Sequence, residues 1–197
     1  MHSAESDWLK QAQKGDDMAF SRLVEAYQRP VYNLCYRMLG NAGDAEDAAQ
    51  ETFIRAYKAL HRYDLNRKFS SWLLSIASNY CIDQHRRRKL PTFSMDEFES
   101  PIIPDKGMSM EGLLMQDERQ EQVSALLESL NPKDKAAVVL RYWYDYSYDE
   151  IATELSLTVS AVKSRLHRAR KELAEVWLAT QNESVAIERN NYEQTTI

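Results

Sequence analysis

Apolar residues recur at helical spacing through most of the first half of the chain. Phe20, Leu23, Val24 and Tyr27 form one group, and Val31, Leu34, Cys35, Met38 and Leu39 form the next. Each group repeats every three or four positions, as one face of a helix requires. Pro30 lacks an amide hydrogen and has a fixed φ, which predicts a break or kink between the two groups. Gly40 predicts the end of the second. A helix from about Asp44 to Leu60 follows, then a polar loop from His61 to Lys68. The next helix, from about Phe69 to Lys89, has Trp72, Leu73, Ile76, Ala77 and Tyr80 on its buried side.

The pattern lapses between Leu90 and Gly112, where Pro91, Pro101, Pro104, Gly107 and Gly112 sit among Ser, Asp and Glu. Such a stretch reads as a linker. Helical spacing resumes from about Met115 to Leu130. Asn131-Pro132 then supplies a cap followed by proline at the first helical position, predicting a helix to about Trp143. Ser147 and Glu150 have capping-box spacing and start a short helix from Tyr148 to Leu155. Ser156-Leu157-Thr158 makes a tight turn, and Thr158 caps a last helix through Leu173. Ile151, Ala152, Leu155, Leu157, Val162, Leu166, Ala169 and Leu173 form the inward set. A short helix bracing a second across a tight turn is the helix-turn-helix arrangement. The fold class is therefore all-α: two small helical domains joined by a flexible linker. The expected boundaries are 1–89, a linker at 90–114, 115–178, and a polar tail at 179–197. The tail has too few apolar residues to offset the cost of ordering and is expected to be disordered.

Charge sharpens this picture. The chain has 197 residues and a formal net charge of −5, which looks wrong for a nucleic-acid binder until it is divided along the sequence. From Asp96 to Glu121 eight acids face Lys106 and Arg119. By contrast, Arg86-Arg87-Arg88-Lys89 is an unbroken basic run. Val159 to Leu173 holds Lys163, Arg165, Arg168, Arg170 and Lys171 against Glu172. Two basic islands flank an acidic connector.

The helix after Gly40 departs from this DNA-like chemistry. Asp44 is read as its N-cap, with Asp47 in the favourable first turn. Capping does not account for Gln50 and Glu51, which continue the polar row of Asp47 one turn on while Ala45, Ala48 and Thr52 pack the other way. Phosphate would repel that row, so the sequence asks for a basic protein partner, with a merely solvated face as the plainer alternative.

The basic islands suit nucleic acid. Ser160, Lys163, Ser164, His167, Arg168 and Lys171 form the outward row of the last helix, where cationic donors meet guanine O6 and N7 and hydroxyls meet phosphate. Arg165 and Arg170 are directed at phosphate or solvent. Tyr63, Asn66 and Lys68 in the polar loop, with Asn79, Arg86 and Arg87 on the following helix, offer a ring, amides and charges for an unstacked base beside phosphates. Trp72 is read as core, and Asp83 as an i, i+4 partner for Arg87.

Other classes find little support. Cys35 and Cys81 lie in apolar helical patterns and read as buried structural thiols; Cys81 with His85 lacks further ligands, so no metal is expected. No cofactor motif, phosphate-cradling glycine loop or converging nucleophile and base is present, so an enzyme is not expected. No run approaches a membrane span, and the first residues do not form a signal peptide, so a cytoplasmic protein is expected. A stand-alone helix-turn-helix repressor or activator, binding a palindrome as a dimer, is the main competing reading.

From about Asp16 to Leu178 the chain resembles the extracytoplasmic-function sigma factors, two-domain initiation subunits of bacterial RNA polymerase. The carriers are Asp44-Ala45-Glu46-Asp47-Ala48-Ala49-Gln50-Glu51-Thr52-Phe53, Phe69-Ser70-Ser71-Trp72-Leu73, Ile76-Ala77-Ser78-Asn79, and Asp83 before Arg86-Arg87-Arg88. In the second domain they are Tyr148-Asp149-Glu150-Ile151-Ala152 and Ala161-Val162-Lys163-Ser164-Arg165-Leu166-His167-Arg168-Ala169-Arg170. The resemblance implies a sigma-2 domain that binds core polymerase through Asp47, Gln50 and Glu51 and melts the −10 element. Tyr63, Asn66, Lys68 and Asn79 would hold a flipped base there. A sigma-4 domain would read the −35 element. It further implies promoter DNA and an anti-sigma factor as partners, the latter against the Trp143-Tyr144-Asp145-Tyr146 surface or the tail. Ser160-Ala161 stands where many members have Gly-Thr, which leaves the promoter sequence open.

Overall fold

The computed structural model describes residues 2–88 and 122–194, and among these every regular element is helical. The first element, α1 (His2–Gln13), buries Leu9 and Ala12 and leans Trp8 on the core. Its three apolar anchors are too few to stand out as a periodic stripe.

Asp16 caps α2 (Asp17–Leu39) by accepting from the amides of Met18 and Ala19. Of the break or kink expected at Pro30, the break does not occur: α2 runs through the proline as one helix. Proline costs roughly 3 kcal/mol inside a helix. Here one stripe continues in register on both sides of it, with Ala19, Leu23, Val31, Leu34, Cys35 and Met38 all buried, and that shared burial outweighs the lost bond. Gly40 ends the helix as expected, at a φ of 84° that few side chains adopt.

Asn41, not Asp44, caps α3 (Ala42–Ala59). Its side chain accepts from the Asp44 amide and its own amide group donates to the Asp44 carboxylate. Asp44 is thus the third residue of the helix, where a carboxylate also suits the dipole. The buried stripe of α3 is small: Ala45, Ala48, Ala49, Thr52 and Ala56, so its axis lies close against α2. Thr52 satisfies its hydroxyl within the helix, donating to the Ala48 carbonyl at 2.7 Å. A 3₁₀ turn (Leu60–Arg62) leads to the 63–68 loop and then α4 (Phe69–Arg88). Cys35 and Cys81 are both fully buried, and the hydrogen bond between the two thiols, together with burial, pushes the Cys81 thiol well above its ordinary range. They are structural.

The second half comprises α5, helical over 122–128, then α6 (Pro132–Trp143), α7 (Tyr148–Glu154) and α8 (Val159–Gln194). Asn131 caps α6, Ser147 and Glu150 form the complete capping box of α7, and Thr158 accepts from the Ala161 amide at the start of α8. The α7–α8 turn closes through the Leu157 amide on the Ala152 carbonyl at 2.8 Å, with Ser156 at a positive φ. The whole of the expected linker, and the part of the expected Met115–Leu130 helix before 122, lie outside the described residues. The tail expected to be disordered is instead helical as far as Gln194. Residues 179–194 contain no glycine or proline, and extending an existing helix requires no new nucleation.

One hydrophobic core runs through both halves, because α6 packs on α2 and α4 with Ala136, Val139 and Leu140 fully buried. The Tyr144 hydroxyl, just after α6, donates to the Pro30 carbonyl at 2.7 Å. No helix among the described residues is long and apolar enough to cross a membrane.

Candidate partner and nucleic-acid interface

On α3, Asp47 and Gln50 are exposed while Glu51 is partly so. The Arg55 Nε donates to Glu51 Oε1 at 2.7 Å, and the Arg55 guanidinium lies 4.7 Å from the Tyr80 ring centre on α4. The Glu51 charge is therefore shared with a neighbour on its own helix. One turn further on, the row ends in Ile54, an exposed branched side chain on a helix whose other face is fully packed. Acid, amide and one apolar residue in a row favour a protein partner over solvent alone. Asp44 and Asp47 line a shallow recess with Leu39, Tyr80 and Gln84.

The loop before α4 is braced from a distant part of the chain. Gln13 Nε2 donates to the carbonyls of Leu60 and Tyr63 at 2.9 and 2.7 Å. Tyr63, expected to face a base, is instead buried at 5 % exposure, packed on Phe69 and Trp72. Its hydroxyl donates to the Arg67 carbonyl, and burial pushes its pKa up to about 12. It shapes the loop from within because the aromatic trio gives its ring more apolar area than solvent would. Asn66 is exposed and turned by Asp64, whose carboxylate accepts from both the backbone and side-chain amides of Asn66 at 2.9 Å.

The remaining residues of this group meet α7. Asn79 donates to the Glu154 carbonyl at 3.2 Å, Arg67 pairs with the Glu154 carboxylate at 3.0 Å, and Lys68 lies 3.8 Å from Glu150. Burial raises the Glu154 carboxyl above its usual range, opposed by hydrogen bonds from Ser75 and Arg67. The Glu154 carbonyl and the Glu150 and Glu154 carboxylates of α7 thus occupy donors that would otherwise face an acidic ligand. Arg86 and Arg87 at the end of α4 are exposed, and Asp83 pairs with Arg86 at 3.4 Å rather than with Arg87.

On α8, Ser160, Lys163, Ser164, His167, Arg168 and Lys171 are all exposed. They follow the spacing of one helix face. Val162, Leu166 and Ala169 are buried beneath them. Arg165 departs from the expected outward group. It turns inward to Asp134 of α6 at 2.6 Å, leaving its side chain 23 % exposed. Its position three residues after Val162 and one before Leu166 places it at the margin of the buried stripe, where only a guanidinium with a partner is tolerated. Arg170 is held by the hydroxyls of Tyr142 and Tyr148, which favour its charged form.

The Trp143–Tyr146 surface is partly internal. Tyr146 is buried, Tyr144 reaches Pro30, and the Arg37 guanidinium covers the Trp143 ring at 5.2 Å. Only Trp143 and Asp145 keep an exposed side. The braces Gln13, Asp134 and Glu154 escaped the sequence reading, since each acts on a residue far away in the chain.

Comparison with known proteins follows the same division. The model of sigma-70 region 2 matches residues 23–90, and that of sigma-70 region 4 matches residues 120–173. The ECF RNA polymerase sigma factor SigW of Bacillus subtilis is 39 % identical over 176 residues, which cover 84 % of this chain and 92 % of that protein. The ECF RNA polymerase sigma-E factor of Escherichia coli is 34 % identical over 174 residues, covering 84 % and 90 %. The solved structure of CnrH in complex with the cytosolic domain of CnrY superposes with a TM-score of 0.67 at 25 % identity, covering 90 % of this chain and 99 % of that one. The sigma factor RpoE in complex with the anti-sigma factor NepR from Bartonella quintana shares the fold, with a TM-score of 0.62 at 21 % identity over 80 % and 96 % of the two chains.

Proposed function

The chain belongs to the extracytoplasmic-function RNA polymerase sigma factors, and from that premise we propose how its surfaces divide the work of promoter-specific initiation. It acts as an alternative sigma factor; the bond-making chemistry is the polymerase's. Residues 1–89 dock on core polymerase and open the −10 element, 90–114 connect, and 115–178 read the −35 element.

The observation that carries this division is that the acidic row and the basic row stand on different matched regions. Asp47 and Gln50 are exposed within the region 2 match, and Lys163, Ser164, His167 and Arg168 within the region 4 match. Polymerase takes the first, ending on Ile54; the major groove takes the second. Asn66, Lys68 and Asn79 hold the displaced −10 base, while Arg86 and Arg87 meet phosphate. Initiation is then differential binding: capture of an unstacked base offsets its unstacking, a few kcal/mol. An anti-sigma polypeptide is a further partner, and Trp143 and Asp145 are the exposed remnant of the surface it would use.

Capture has a structural precondition. Asn79 and Lys68 engage Glu154 and Glu150 of α7, so a base and its phosphate must exchange with these contacts. Arg67→Ala leaves the Glu154 carboxylate buried without its cation, a change worth about 1–3 kcal/mol. Fluorescent labels on α4 and α7 should therefore separate more often in R67A than in the wild-type chain; identical distance distributions would reject this seat for α7.

The function itself is tested by run-off transcription from a promoter library. Core polymerase with this chain should select a common −35 and −10 pair that core alone ignores. Tight binding of the chain alone to a palindromic duplex, with no change in transcripts, would favour a repressor or activator instead.

A further inference from the structure

Asp134 and Glu154 are the two buried carboxylates among the described residues. Asp134, the third residue of α6, is 1 % exposed. Its backbone amide donates to Asn131 Oδ1 at 3.1 Å, and Asn131 Nδ2 donates to its Oδ2 at 2.6 Å. Capping of α6 is thus done by Asn131, and a carboxylate at this depth costs several kcal/mol unless cations compensate it. Both cations come from α8: Arg165 Nη1 lies 2.6 Å from Oδ1, and Arg168 Nη2 lies 3.6 Å from Oδ2. Arg165 is largely enclosed, with its Nε buried and unbonded, whereas the Arg168 side chain is 62 % exposed.

The two arginines therefore differ in kind. Arg165 is a strut between α6 and α8. Arg168 has one edge in a 3.6 Å ion pair with Asp134, longer than a hydrogen bond, and is open along the rest, in the outward row with Lys163, Ser164 and His167. A free arginine carries about 2 kcal/mol of rotamer entropy, and a donor held in place before binding loses less of it on contact. We infer that Asp134 is a positioning residue for −35 recognition: it anchors Arg165 and fixes the guanidinium of Arg168 so that its open edge meets the groove. The inference rests on the reading of Arg168 as a base contact.

Asp134 also offsets one of the two positive charges of the guanidinium pair beside the DNA, which gives its removal a distinctive signature. In the polymerase complex, D134N should reduce the preference for the intact −35 element about five- to tenfold, the loss of a preorganised contact. Affinity for non-specific duplex should hold or rise, with a salt dependence steeper by about one ion. A purely structural aspartate predicts that both affinities fall together with thermal stability, and that outcome overturns the proposal.

R168A defines the base pair concerned, as the −35 position at which it removes discrimination. If R168A leaves every −35 preference unchanged, the reading of Arg168 fails. If R168A removes the preference and D134N does not, the Asp134 inference alone fails. The double variant should discriminate no worse than R168A. Should D134N not fold, the Nε–H order parameter of Arg168 in the wild-type chain decides: a restrained value supports the tether, and that of a freely turning side chain refutes it.

Discussion

Reversing the charges of the α3 row, D47K together with E51K, is expected to weaken binding to core RNA polymerase by about a hundredfold or more. Two favourable charge contacts become two repulsive ones, and interfacial charge pairs couple by about 1.5 kcal/mol or more each. The fold should barely respond. Asp47 is exposed, Glu51 is partly so, and the cap of α3 rests on Asn41 and Asp44, which the variant leaves alone. The lost Glu51–Arg55 pair is an i, i+4 surface pair, worth only about 0.3–0.5 kcal/mol. Equilibrium binding of labelled chain to core, beside a thermal melt and a −35 duplex titration, separates the cases. A solvated row with no partner predicts near-normal core binding.

The second large effect concerns strand opening. N79A with K68A is expected to reduce the open complex about ten- to a hundredfold, measured by fluorescence of a base analogue at −10 in the polymerase complex. Both side chains would act only on the displaced strand, so their loss removes binding energy that appears after unstacking, a step of a few kcal/mol. Closed-complex affinity, carried by α8, should stay within about twofold. The same variant also removes the Asn79 and Lys68 contacts to α7, which by itself would ease opening; reduced opening despite that relief is the sharper result. Unchanged opening would assign base capture to other residues.

Much of this was legible in the sequence because it depends on local pattern. The α8 row and its buried counterpart follow from helical period alone, and the capping box at Ser147 and Glu150 and the stop at Gly40 follow from the local chemistry of helix ends. Misreadings arose where a distant residue decided the outcome. Pro30 sits inside an unbroken helix because α2 buries one continuous stripe, with Leu23 before the proline and Val31 and Leu34 after it. Tyr63 looked like an exposed ring beside polar residues, yet Phe69 and Trp72 enclose it and Gln13 of α1 grips its carbonyl. Arg165 reads as one cation among five, and nothing near it in sequence announces Asp134, thirty-one positions earlier. The cap of α3 was misplaced for a smaller reason: Asn41 and Asp44 are both good caps by type, and only geometry chooses between them.

The division of labour between α3 and α8 is tested most directly by photocrosslinking within the promoter-bound polymerase complex. A photoreactive residue at Gln50 should join the chain to polymerase protein and not to DNA. The same residue at His167 should join it to DNA at the −35 element. A crosslink from Gln50 to DNA, or from His167 to polymerase alone, would contradict the account.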